Sequence, residues 1–92
     1  VDGEAVRHAV GGRFRAKDGA VVLTDRRLLV ANDREWDPEV VVFDDLGEVT
    51  VEHWEERRAV ILRITAGDEI VVVDRIKDLA AAESLIAAIE AS

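Results

Sequence analysis

The stretch Leu23-Thr24-Asp25-Arg26-Arg27-Leu28-Leu29-Val30-Ala31 constrains this chain more than any other. A tight turn at Asp25-Arg26 sets Leu23 opposite Leu28 and Val21 opposite Val30, so that one face of an antiparallel pair is wholly apolar. This hairpin stands second and third in a succession of short strand-like runs that ends in one amphipathic helix. Several hairpins followed by a single carboxy-terminal helix describe a small bent sheet or barrel whose open end the helix closes.

The remaining runs extend the pattern. Asp18-Gly19 is a favoured two-residue hairpin turn, and a turn there opposes Phe14 to Leu23 and Ala16 to Val21. Arg13, Arg15 and Lys17 then share the opposite face of the first strand with Val22 and Thr24 across from them. Asn32 to Pro38 is a polar loop, Val40-Val41-Val42-Phe43 a strand apolar on both faces, and Asp44-Asp45-Leu46-Gly47 a corner. From Glu48 to Asp74 the pattern is a three-strand meander. A turn at Glu56-Arg57 opposes Val51 to Leu62 and Val49 to Ile64, and a turn at Gly67-Asp68 opposes Ile64 to Val71 and Leu62 to Val73. Leu79, Ala82, Leu85, Ile86 and Ile89 recur at helical spacing, with Asp78 or Asp74 as N-cap.

The expected fold is therefore mainly β: one domain over residues 1–92, with seven antiparallel strands at roughly 10–17, 20–24, 27–32, 39–43, 48–55, 58–65 and 69–74 and a helix at roughly 78–91. Phe14, Val21, Leu23, Leu28, Val30, Val49, Val51, Leu62, Ile64, Val71 and Val73 are the expected core, and Leu79, Leu85, Ile86 and Ile89 the face that plugs the end of the barrel.

Composition removes several classes of function. Without cysteine there is no disulfide framework and no thiolate metal site, and only His8 and His53 supply imidazole. The formal charge of −8 argues against nucleic-acid binding, which needs a basic surface to neutralise phosphate. The charge is lopsided: residues 1–34 carry seven Arg or Lys against five Asp or Glu, and residues 35–92 carry five against fifteen. No apolar run approaches the roughly 18 residues of a membrane span, and Val1-Asp2-Gly3-Glu4 has neither part of a signal peptide, so a soluble chain is expected. Starting at valine and lacking methionine, it reads as a piece of a longer protein.

Seven antiparallel strands and one carboxy-terminal helix, with Gly19-Ala20-Val21-Val22-Leu23-Thr24-Asp25-Arg26-Arg27-Leu28-Leu29 in the second and third strands, resemble the bacterial pleckstrin-homology-like (PH-like, GRAM-related) domains. The corner from Asp44-Asp45-Leu46 to Val49 is similar to one in that family. The resemblance implies a non-catalytic module without cofactor that binds lipid headgroups, peptides or other subunits, in a cytoplasmic or membrane-peripheral setting. In the phosphoinositide-binding subset basic residues surround the first hairpin. By that resemblance Arg13, Arg15 and Lys17, with Arg26 or Arg27 nearby, form an anionic-ligand site, although this chain departs from the subset in its overall acidity.

Two surfaces carry the functional expectations. Alternation places Trp54 with Glu48, Thr50 and Glu52 on the face away from the core, where Ile61 and Val72 join it in an apolar strip. Such a strip fits a protein partner, a second subunit or a missing domain; its alternative is burial beneath the chain's own amino terminus. Trp36, before Pro38, is a partner anchor or a lid over one barrel mouth, the lid being favoured. The row Arg13, Arg15, Lys17 is an anionic docking face or a solvated, cross-paired strand face. Near an anionic membrane each cation contributes about 1 kcal/mol, so three are marginal alone.

Two further groupings carry less. Asp33, Glu35, Asp37 and Glu39 alternate as in a calcium loop, with Asp44 at its twelfth position, but Pro38 stands where an EF-hand requires glycine and strands flank the segment, so no metal is expected. His53, expected to point inward opposite Val60, lies near Glu55 and Glu56 without a nucleophile, and Gly11-Gly12 lacks the lysine and helix of a phosphate loop. His53 reads as a barrel-rim residue, His8 as a solvated one, and the chain as no enzyme.

Overall fold

Burial with a period of two builds the sheet: Val21, Leu23, Leu28 and Val30 are fully inside, while Val22 and Leu29 between them are only half-buried. The computed structural model describes residues 5–91, so the amino-terminal four residues, in which no signal peptide was read, lie outside the described residues. Seven strands follow in order: β1 (Val6–Phe14), β2 (Lys17–Thr24), β3 (Leu28–Asn32), β4 (Val40–Phe43), β5 (Thr50–Glu56), β6 (Ala59–Ala66) and β7 (Glu69–Ile76). A short 3-10 turn (Leu46–Glu48) precedes β5, and helix α1 (Leu79–Glu90) ends the fold.

All pairings are antiparallel, in the spatial order β4-β3-β2-β1-β7-β6-β5. Two meanders thus meet where β1 touches β7, at Arg13 opposite Asp74 and Phe14 opposite Val73. The sheet does not close into a full barrel, and β4 and β5 are its two edges. The expected architecture of seven antiparallel strands capped by one carboxy-terminal helix is present.

The helix starts where Asp78 accepts a hydrogen bond from the Ala81 N–H at 3.0 Å, so Asp78 is the N-cap and Asp74 belongs to β7. Ala82, Leu85, Ile86 and Ile89 form its buried face and join the strands in one core cluster. Leu79, expected in that plug, is 39% exposed, and the buried stripe of the helix begins only at Ala82. Val51, also expected inside, is only half-buried on the edge strand β5.

The Thr24-Asp25-Arg26-Arg27 step is structural. The Thr24 hydroxyl accepts from the N–H groups of Arg26 (3.1 Å) and Arg27 (3.0 Å) and donates to the Arg27 carbonyl (3.2 Å), while Asp25 exchanges hydrogen bonds with Ala5. Leu23 opposes Leu28 and Val21 opposes Val30, as expected.

Two turns lie elsewhere than the sequence suggests. The β1–β2 turn is Arg15-Ala16, not Asp18-Gly19, with φ of 51° and 67°, the left-handed pair of a type I′ hairpin. Phe14 therefore opposes Lys17 and Val10 opposes Val21, and Ala16 is an exposed turn residue. Gly19 serves close approach instead: a Cβ there would sit 2.2 Å from the Ala31 carbonyl oxygen. The β5–β6 turn is Arg57-Arg58, with φ of 52° and 66°, which opposes Val51 to Ile64 and His53 to Leu62. This register differs by two residues from the one expected, so the inner and outer faces are unchanged. Leu62 opposite Val73 and Ile64 opposite Val71 stand as expected around Gly67, at φ 59°.

Alternation also fails in β7. Asp74 and Arg75 together face Ile61, a β-bulge with Arg75 at φ 56°, and the chain resumes with Ile76 inside. Without the bulge Ile76 would point to solvent with Val72.

Candidate interaction site

The outer face of the β5–β6–β7 meander carries three cross-strand rows. Trp54 stands directly opposite Ile61. Glu52 opposes Arg63, which opposes Val72. Thr50 opposes Thr65, which opposes Ile70. Trp54 is 43%, Val72 48% and Ile70 51% exposed, and Ile61 is half-buried beneath its neighbours. The structure thus brings Trp54, Ile61 and Val72 onto one face, with Val72 one row away from the other two. Ile70, which extends the apolar surface by one further row, escaped the sequence reading, although it shares the parity of Val72. The surface is open to solvent among the described residues; residues 1–4 of the amino terminus, which the alternative reading would lay over it, lie outside them.

The β5 strand explains a correction at His53. It has the inward parity expected, but β5 is an edge strand and His53 is exposed. His8 is half-buried in β1. Trp36 is 91% exposed in the loop between β3 and β4, so it is not a lid. Asn32 organises that loop without it: its buried side chain accepts from the Glu39 N–H at 2.9 Å and donates to the Phe14 carbonyl at 3.4 Å.

The cationic row is rearranged by the shifted turn. Arg13 is the last residue but one of β1, opposite Asp18, Arg15 occupies the turn, and Lys17 begins β2, so the three surround a hairpin tip instead of lining one strand face. The Arg13 guanidinium donates to the Ala16 carbonyl at 3.1 Å. Arg15 stacks 4.9 Å above the Phe14 ring and pairs with Glu39, which also pairs with Arg34 at 3.2 Å. The Arg15 hydrogen bond lowers the Glu39 carboxyl pKa from its ordinary 4.5; partial desolvation opposes this, and the charges of Arg15 and Arg34 reinforce it. Arg26 and Arg27 sit at the other end of β2, whose eight residues span roughly 25 Å, and are not near that tip. Arg27 lies 4.0 Å from Asp44 instead.

Of the acidic alternation in the loop, Glu39 is turned to arginines and the residues form no metal-holding group among the described residues. Among those residues, no helix is long and apolar enough to cross a membrane. Compared with protein-family models, curated proteins and solved structures, the chain matches none.

Proposed function

We propose that this chain is a non-catalytic, PH-like binding module that makes protein contacts through the outer face of β5–β7. The observation that carries the reading is the set of exposed apolar residues Trp54, Val72 and Ile70 on the face that also carries Ile61, with Arg63 between them. Burying apolar surface at about 25 cal/mol per Å² drives association, and a large exposed aromatic such as Trp54 is the residue type that anchors interfaces. Trp36 on its loop supplies a second exposed aromatic, in the role of a partner anchor.

Sedimentation over a wide concentration range tests the self-associating form. Association that is lost in a Trp54→Ser, Val72→Ser variant supports it, and a chain that stays monomeric at every concentration rules it out and leaves a different protein as partner. An association unaffected by the variant sinks the assignment of the surface.

The headgroup reading keeps one favourable observation: Arg13, Arg15 and Lys17 gather at one hairpin tip with Arg34 on the adjoining loop. Against it, Glu39 already holds Arg15 and Arg34. Co-sedimentation with anionic and neutral liposomes at two salt concentrations decides it. Salt-sensitive binding lost in an Arg13→Glu, Arg15→Glu, Lys17→Glu variant favours headgroups, and no binding removes them.

A further inference from the structure

The second edge of the sheet is β4, at the opposite end of the strand order from β5. Along β3–β4 the Asn32 N–H donates to the Glu39 carbonyl at 3.1 Å, which fixes the phase of the ladder. Hydrogen-bonded and non-hydrogen-bonded pairs alternate from there, so Val41 and Phe43 bond to Val30 and Leu28. Val40 and Val42 therefore turn their N–H and C=O groups outward, and among the described residues no strand runs along that side. Their side chains are 55% and 43% exposed. Beside this edge runs an open groove of about 430 Å³, rimmed by Asp44, Asp45, Glu48 and Glu69 with Ala66 between them, and no Lys or Arg lines it.

We propose that the β4 edge receives a short, extended, basic segment of a partner protein as an added strand. Outward-facing donors and acceptors two residues apart are what an incoming strand uses, and the exposed Val40 and Val42 side chains offer apolar contacts to its alternate residues. Asp45, Glu48 and Glu69, with Asp44 shared with Arg27, select the charge of the occupant. The net charge of −8 also favours a basic segment over a second copy of the chain. The other edge, β5, is blunted by Glu52, Glu55 and Glu56, whereas β4 has no charged residue from Val40 to Phe43. With only four residues, β4 holds a short segment and does not template a long sheet.

The test uses the isotope-labelled chain and three synthetic peptides: alternating lysine and valine, alternating glutamate and valine, and the lysine peptide with a central proline. The lysine peptide is expected to shift the Val40 and Val42 amide signals and protect them from exchange, and the other two to leave them unchanged. Val42→Pro removes an outward N–H that β3 does not use, so the fold survives and peptide affinity falls about tenfold or more. Glu48→Gln with Glu69→Gln weakens binding and flattens its salt dependence. The proposal is overturned by equal binding of the glutamate peptide, by undiminished binding to the Val42→Pro chain, or by no binding at all. Concentration-dependent shifts at Val40 and Val42 without peptide make the occupant a second copy and overturn it as well. Because the proposal uses none of Trp54, Ile61, Ile70 and Val72, Trp54→Ser leaves peptide binding intact. Loss of binding in that variant moves the peptide to the outer face, which sinks this proposal and not the previous one.

Discussion

Gly12 stands directly opposite Gly19 in the β1–β2 ladder, and neither position has room for a side chain. A Cβ on Gly12 would lie 2.8 Å from the Val73 and Ile76 side chains and 2.9 Å from the Asp74 carbonyl, and one on Gly19 would collide with the β3 backbone. The glycine pair lets β1 and β2 pack closely against β7 and β3 at the junction of the two meanders.

Gly19→Ala must push β2 and β3 apart, and is expected to cost about 1–3 kcal/mol in urea denaturation. Gly11→Ala is the control, since its Cβ would meet only the Gly19 carbonyl at 4.0 Å. That substitution is expected to be neutral or to stabilise by up to about 1 kcal/mol. Equal losses at both positions would show that close approach is not what Gly19 provides.

Both residues of the Arg57-Arg58 turn have positive φ, a conformation that costs a residue with a side chain roughly 1–2 kcal/mol relative to glycine. Arg57→Asn with Arg58→Gly supplies the residue types this hairpin favours. A rise in the midpoint of thermal unfolding is expected, and a fall would mean that the arginine side chains contribute more than the backbone strain costs.

Glu39 gives the fold a pH dependence whose sign follows from its partners. Its carboxyl pKa is lowered in the folded chain, so folding favours the ionised form. That stabilisation is complete above the ordinary value of 4.5 and is lost as the pH falls through the lowered folded value. Carboxyl resonances followed by NMR should place the Glu39 midpoint below the ordinary value of 4.5, and Glu39→Gln should narrow the stability difference between pH 7 and acid. An unshifted Glu39 midpoint would dissolve the link to Arg15 in solution.

Leu62 and Leu85 are fully buried in the common core, and truncating either to alanine is expected to cost about 2–5 kcal/mol. Leu79→Ala, at the exposed start of the helix, should cost less than about 1 kcal/mol. Chemical denaturation of the three variants checks the order, and a large loss at Leu79 would return it to the core.

The order of elements was legible because burial on one face leaves its mark residue by residue. Val21, Leu23, Leu28 and Val30 alternate, as do Leu62, Ile64, Val71 and Val73, and all eight are inside. Turn chemistry misled where backbone approach competed with it: Asp18-Gly19 has the composition of a turn, but its glycine is used against β3, while the actual turns contain arginines at positive φ. Phe43 was hidden because β4 is apolar on both faces, and Ile76 because a bulge resets the period before it. Val10 shares the parity of Phe14 and was readable in principle. At the interaction surfaces, sequence placed Trp54, Ile61 and Val72 on one face by parity alone. It could not show that β4 lies at an edge, since a strand's neighbours depend on long-range pairing.

The junction at Arg13–Asp74 and Phe14–Val73 also has a consequence for the time course of folding. Each meander pairs strands that are consecutive along the chain, so each can form with little loss of loop entropy, whereas the junction joins positions about sixty residues apart. Chain-entropy cost therefore favours forming each meander before the two dock along β1, where the glycine at position 12 sets how closely they meet. If docking limits the rate, Gly12→Ala slows refolding as well as lowering stability, and a refolding rate untouched by that change would place docking after the barrier.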